Sequence, residues 1–191
     1  GKTYILRKFG EQEYQKFAFF SLDRNLKVRE VFEKGESTAD IIMALSAISQ
    51  VDITPGDTLV VLDEIQDCPK ALEALKFFCE ETPDIHIIVA GSLLGLSLHN
   101  SVSYPVGKVE ELRLYPMSFL EFLNAMNKTQ LLSILKSKNW TVINMLEKDL
   151  ISLLRQYYYV GGMPAAVTEF AGSKNLEEVR NIQKQILFDY R

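Results

Sequence analysis

The sequence predicts a parallel α/β domain followed by a small helical subdomain. Four segments have the composition or alternation of strands, and helical patterns separate them along the chain: residues 16–22, 58–62, 85–90 and 108–114. The last part of the chain carries helical patterns only. Strands that alternate with helices are typical of a parallel sheet with helices on its faces. We therefore expect an α/β core over residues 1–127 and a helical lid or linker subdomain over residues 128–191.

The composition excludes several classes of protein. Apolar residues make up 47% of the 191 residues and charged residues 24%, which favours a folded core over disorder. The net charge of −4 argues against a broad nucleic-acid-binding face. Because no apolar run approaches the ~18 residues of a membrane span, we expect no membrane association. Cys68 and Cys79 follow no signal peptide, so we expect reduced thiols in a cytoplasmic protein.

The elements before the second strand follow from local patterns. Residues 3–9 predict a short helix that ends near Gly10, and the aromatic-rich segment 16–22 predicts a buried strand. Apolar residues recur among polar ones over residues 24–32 and 38–48. Both of these segments are therefore predicted to be helices.

The central elements have clearer boundaries. Residues 54–57 (TPGD) predict a turn, and the continuous apolar run 58–62 predicts a strand that is buried on both faces. Pro69 suits the first turn of a helix that continues through Cys79. Residues 85–90 predict the next strand.

The last elements are helical. Ser118 and Glu121 have the spacing of a capping box, which predicts a helix over residues 117–126. Four further segments carry helical patterns: residues 130–136, 142–159, 164–171 and 176–190.

The chain opens on Gly1, Lys2 and Thr3, the last three positions of a phosphate-binding loop, G-x-x-x-x-G-K-[ST]. In such loops the lysine reaches the β- and γ-phosphates, the hydroxyl ligates Mg²⁺, and a helix begins at the anion. The glycine-rich first half of the loop and its strand do not precede Gly1. We therefore expect a fragment that binds ATP weakly or not at all, with a gap in the sheet beside residues 59–62 or another chain or segment that fills it.

Asp63 and Glu64 directly follow the apolar strand 59–62. A metal–triphosphate site needs one carboxylate for the Mg²⁺ and a second to orient or deprotonate the attacking water. Successive side chains diverge at a strand end, so adjacent residues can divide these tasks. We assign Asp63, with Thr3, to Mg²⁺ and Glu64 to catalysis. The alternative is a capped turn after a strand.

Ser92 follows another apolar run, residues 87–90, in the same manner. If this strand lies beside strand 59–62, Ser92 faces the γ-phosphate and the attacking water, where a hydrogen bond would sense the nucleotide. The alternative is an ordinary turn serine.

Five segments together resemble the AAA+ superfamily ATPases of bacteria and archaea, and within them a group that carries an uncharacterised C-terminal domain. The segments are GKT (1–3), LVVLDEIQDCP (59–69), VAGSLLG (89–95), YPVGKVEELRLYPMSFLEFL (104–123) and YVGGMPAAV (159–167).

This resemblance implies a P-loop NTPase fold of the AAA+ type that uses ATP and Mg²⁺. It implies that Asp63 is the Walker B aspartate, that Glu64 is the hydrolytic glutamate and that Ser92 stands at the sensor position. Gly162-Met163-Pro164 resembles the Gly-x-Pro motif of related signal-transduction ATPases, whose proline touches the nucleotide from the helical lid. The resemblance also implies a further C-terminal domain as a partner, which the chain lacks because it stops at Arg191 within a helical pattern.

Three functions remain open on the sequence. The first is a molecular switch or motor in which ATP binding closes the lid and hydrolysis reopens it, possible also as a homo-oligomer. The second is a superfamily 1 helicase, because residues 63–67 (DEIQD) resemble the D-E-x-Q-D box of these enzymes. In helicases a Gly-Asp-x-x-Gln element follows at the next strand, whereas here the next predicted strand ends in residues 91–94 (GSLL). The third is a non-catalytic interaction module derived from an ATPase.

Overall fold

The computed structural model describes residues 1–91 and 107–189. The chain forms two compact units that divide between Leu112 and Arg113. In the described part of the first unit, the strands and α-helices are β1 (Lys16–Ser21), β2 (Thr58–Asp63), β3 (His86–Val89), α1 (Lys2–Glu13), α2 (Leu26–Lys34), α3 (Thr38–Ser49) and α4 (Pro69–Glu81). A 3₁₀ turn over Ile65–Asp67 joins β2 to α4.

The three strands form one parallel sheet in the order β1-β2-β3. All six residues of β2 are buried, as expected for a central strand with both faces covered. Ser21 is paired with Asp63 and Leu62 with Val89, so the carboxyl ends of the strands lie together. The expected gap beside residues 59–62 is wrong, because β1 and β3 occupy both edges of β2. A further strand can join only outside β1 or β3.

Helices cover the sheet because alternate strand residues are apolar on each face. Ala18, Phe20, Val60 and Leu62 belong to a buried cluster that also contains apolar residues of α2, α3 and α4. Phe17 and Phe19 point the other way, and α1 packs there. The Arg7 guanidinium lies 3.7 Å from the centre of the Phe19 ring.

Helix α1 does not end near Gly10 as predicted but continues to Glu13, with Gly10 buried within it. A Cβ at this position would overlap the Phe17 ring. Gly10 is therefore explained by close packing of α1 on β1 rather than by a helix stop.

The predicted strand over residues 108–114 is also wrong. Residues 110–115 pair with no described strand, and the segment has no regular secondary structure. Val109 packs against the buried cluster of the first unit, and Lys108 forms an ion pair with Glu80 (3.4 Å).

The second unit is helical among its described residues. Its helices are α5 (Phe119–Ala125), α6 (Thr129–Ser137), α7 (Trp140–Met145), α8 (Glu147–Val160), α9 (Pro164–Ser173) and α10 (Leu176–Asp189). The capping box is confirmed: Ser118 N donates to Glu121 Oε2 (2.7 Å), and Glu121 N donates to Ser118 Oγ (3.4 Å). The Glu121 carboxylate accepts hydrogen bonds from Ser118 N and from Ser118 Oγ (2.8 Å), and these, led by the one from Ser118 N, lower the pKa of Glu121.

Residues 142–159 were predicted to form one helix, but the structure divides this region between α7 and α8. Asn139 caps α7 by accepting a hydrogen bond from Val142 N (3.3 Å), and Leu146 separates the two helices. The predicted domain boundary after residue 127 stays a prediction. In the structure, α5 shares a buried cluster with α8 and α9 through Phe122, Val160 and Val167.

Candidate nucleotide site

The candidate site lies at the carboxyl end of β2, where the first turn of α1 meets the strand. Thr3 Oγ1 donates a hydrogen bond to Asp63 Oδ2 over 2.7 Å, although 60 positions separate the two residues. Asp63 is only 4% exposed. Its second oxygen, Oδ1, accepts a hydrogen bond from Glu64 N (3.1 Å). Both carboxylate oxygens of Asp63 therefore have donors, as a buried charged group requires.

Glu64 follows Asp63 in a left-handed backbone conformation, with φ 55° and ψ 48°. This conformation is uncommon for residues other than glycine, and it turns the chain sharply out of β2. Gln66 Nε2 donates a hydrogen bond to Glu64 Oε2 (2.6 Å). The carboxylate of Glu64 is thus held by a side chain of the 3₁₀ turn that follows it.

A cavity of about 510 Å³ opens beside these residues. Eight of its lining residues are polar or charged, and they come from α1, from β1 and the loop after it, and from β2 and the residue after it: Thr3, Arg7, Ser21, Asp23, Arg24, Asn25, Asp63 and Glu64. Thr3, Asp63 and Glu64 therefore border one cavity that a ligand can enter.

The loop after β1 adds groups that the sequence analysis did not single out. Ser21 donates a hydrogen bond to Asp23, and Arg24 forms an ion pair with Asp23 (3.2 Å). These contacts, chiefly the hydrogen bond from Ser21, lower the pKa of Asp23. A signal was available, because polar residues stand at and just after the end of β1, as Asp63 and Glu64 do at the end of β2.

The predicted site residues are only partly brought together. Thr3, Asp63 and Glu64 line one cavity, and Gly1 and Lys2 adjoin Thr3 at the start of α1. Ser92 lies outside the described residues, although its strand does run beside β2 as far as Val89. Pro164 is the first residue of α9 in the second unit, so its predicted contact with nucleotide stays a prediction.

The donor set at Thr3 and Asp63 fits Mg²⁺ in its chemistry, because Mg²⁺ prefers oxygen ligands and uses few from the protein. Across residues 1–91 and 107–189, no group of three or more His, Cys, Asp and Glu side chains is arranged to hold a metal. Thr3 and Asp63 would supply two oxygen ligands, and Mg²⁺ typically completes its shell with water and substrate phosphates.

The parallel sheet, the flanking helices and the contact between the first turn of α1 and the end of β2 define a P-loop NTPase-like α/β domain. A family model described as an AAA domain matches residues 1–123, and the chain belongs to this family. The protein therefore contains an AAA-type, ATPase-like domain. No curated protein and no solved structure matches the chain. No helix in the described ranges is long and apolar enough to cross a membrane.

Proposed function

We propose that the protein binds ATP with Mg²⁺ and hydrolyses it, and that this cycle drives a conformational switch or motor. The observation that carries the proposal is the 2.7 Å hydrogen bond from Thr3 Oγ1 to Asp63 Oδ2. It joins the hydroxyl of a Gly-Lys-Thr sequence to a buried carboxylate at the end of a central parallel strand. P-loop NTPases hold Mg²⁺ with these two residue types.

Thr3 and Asp63 would hold the metal, and Asp63 would act as the Walker B aspartate. Bound Mg²⁺ would neutralise charge that develops on the β- and γ-phosphate oxygens. Lys2 and the backbone N–H groups at Gly1, Lys2 and Thr3 would bind the phosphates, since the start of α1 presents unpaired donors and the positive end of its dipole.

Glu64 would orient the attacking water and take its proton. Its position after the buried Asp63 supports this role, because the two carboxylates then approach one cavity from adjacent backbone positions. For Ser92 we propose the sensor role and for Pro164 a nucleotide contact from the lid; both rest on the sequence resemblance.

The decisive experiment compares wild type with Glu64→Gln in the full-length protein. Because Glu64 acts in the chemical step rather than in binding, the variant should keep its affinity for Mg·ATP while kcat falls about 10²–10⁴-fold. Titration calorimetry measures the affinity, and phosphate release measures the rate. Glu36→Gln, the same change at an exposed residue between α2 and α3, is the matched control.

Absence of Mg·ATP affinity in the full-length wild type would refute the proposal and favour a non-catalytic interaction module. Stimulation of ATP hydrolysis by single-stranded nucleic acid would favour the helicase alternative.

We further propose that the conformational change is passed to a C-terminal domain or to neighbouring copies in a cytoplasmic homo-oligomer. Light scattering with and without nucleotide tests the homo-oligomer by measuring the mass of the particle.

A further inference from the structure

We infer that Gln66 is a positioning residue that fixes the carboxylate of Glu64 for water activation. The inference rests on the proposed function, since it concerns how Glu64 is held in the same site. It is carried by the hydrogen bond from Gln66 to Glu64 and by an unpartnered atom on the same amide group.

The backbone around Gln66 is anchored on both sides. Ile65 N donates a hydrogen bond to Ala90 O (2.9 Å), which ties the 3₁₀ turn to the residue after β3. Cys68 N donates to Ile65 O (3.0 Å) and closes the turn. Ile65 and Cys68 are both buried. Gln66 therefore projects from a fixed support, which is what a residue that orients another side chain needs.

The amide of Gln66 determines which oxygen of Glu64 is available for water. Gln66 Nε2 lies 2.6 Å from Glu64 Oε2, a short distance that is typical of hydrogen bonds to a charged acceptor. The reverse orientation of the amide would place two acceptors against each other, so Nε2 is the donor. With Oε2 occupied in this way, Oε1 of Glu64 is left to accept a hydrogen bond from water and then its proton.

The other end of the same amide is unsatisfied. Gln66 Oε1 is buried and has no hydrogen-bond partner in the described structure. A buried polar atom without a partner costs stability, so folding alone does not explain a glutamine here. An apolar side chain of similar length would suit the fold at least as well. A glutamine at this position is explained if its Nε2 group is needed to hold the carboxylate of Glu64 by a hydrogen bond.

The test is Gln66→Met in the full-length protein, which preserves side-chain length and removes both polar atoms. Without the donor, the Glu64 carboxylate can rotate away from the attacking water, and kcat should fall about 10–100-fold. The affinity for Mg·ATP should change by less than about twofold, because Gln66 does not line the cavity. The melting temperature should stay the same or rise, since the unsatisfied Oε1 is gone.

Two further variants sharpen the test. Gln12→Met makes the same change at an exposed position of α1 and should leave every measured quantity unchanged. Gln66→Asn keeps an amide on a side chain one methylene shorter, so it should also lower kcat. It provides the measurement if Gln66→Met does not fold.

A second readout does not depend on turnover. In ¹⁵N-labelled protein, the side-chain amide protons of Gln66 should shift when Glu64 is replaced by Ala, because their acceptor is lost. No shift would overturn the inference, as would wild-type kcat in Gln66→Met or a kcat loss matched by a lower melting temperature. Lack of turnover in wild type would instead overturn the proposed function, and the positioning role with it.

Discussion

Asp63 is the residue on which the candidate site depends most directly. A carboxylate that is 4% exposed is stable only if its oxygens are well paired. One partner, Glu64 N, is supplied by the adjacent backbone, whereas the other, Thr3 Oγ1, comes from a different element. The hydroxyl of Thr3 therefore contributes to the fold as well as to any metal site.

This double role can be measured with two substitutions. Thr3→Val keeps the shape of the side chain but leaves Asp63 Oδ2 without its donor, so the free energy of unfolding should fall by about 1–2 kcal/mol. Thr3→Ser keeps the hydroxyl and should retain most of that stability. Urea denaturation provides the free energies, and calorimetry shows whether only the serine variant keeps Mg·ATP affinity. Equal stability of the two variants would show that the hydrogen bond adds nothing to folding.

The residues that sequence reasoning found share a property. Asp63 and Glu64 follow a buried apolar run, and Thr3 stands in a known loop pattern, so each is visible from its immediate neighbours in sequence. Gln66 is not visible in this way, and the sequence around Asp23 shows only that polar residues follow β1. Their positions beside Glu64 and the cavity depend on the left-handed turn at Glu64 and on the register that pairs Ser21 with Asp63.

At the scale of elements, α1 carries the candidate phosphate-binding end and must be held against the sheet. Gly10 allows this close approach, because its position has no side chain where the Phe17 ring lies. Sequence reasoning interpreted Gly10 as a helix stop, the commoner role of a glycine near the end of a helical pattern. Only the packing of α1 on β1 distinguishes the two roles.

Gly10→Ala should therefore destabilise the protein, although alanine is the better helix former. We expect a loss of about 1–3 kcal/mol in the free energy of unfolding, because the new methyl group overpacks the interface. Thermal and urea denaturation measure the loss. Phe17→Leu removes ring atoms that the methyl group would meet, so the loss caused by Gly10→Ala should shrink in that background. A loss of the same size in both backgrounds would point to a cause other than the Phe17 ring.

Other elements show why some patterns predict well and others do not. The capping box at Ser118 was predicted correctly, and so was the strand β2. Each has a local sequence pattern that agrees with its surroundings in the fold. Residues 108–114 alternate like a strand, but none of the described strands pairs with them. Alternation records only which side chains face inward, whereas a strand also needs a partner edge for its backbone.

At the scale of the whole molecule, each unit has its own buried cluster. The first cluster draws on residues 18–109 and the second on residues 117–182. Each unit therefore has the core that independent stability requires. The sequence predicted a core followed by a helical subdomain, but it did not reveal that the helix at 119–125 packs with the later helices.

Gly162 offers a way to test whether the units unfold separately. Met117 N donates a hydrogen bond to Gly162 O (2.7 Å), and Tyr157 Oη donates to Met117 O (2.8 Å). A Cβ at Gly162 would overlap the backbone of Met117, which cannot rotate away as a side chain can. Gly162→Ala should therefore disrupt the attachment of the segment before α5 and destabilise the second unit.

We expect Gly162→Ala to lower the free energy of unfolding of the second unit by about 1–3 kcal/mol or more, since the added Cβ overlaps main-chain atoms. Hydrogen exchange followed by mass spectrometry measures the effect. The protection factors of peptides from α5, α8 and α9 should fall roughly tenfold for each 1.4 kcal/mol of stability lost, while those of β1 and β2 stay unchanged. Gly172→Ala, in α9, is the control and should stabilise slightly, because beyond the adjacent backbone of its own helix no atom lies within 4 Å of the added Cβ. Equal loss of protection in β2 would show instead that the two units unfold as one cooperative structure.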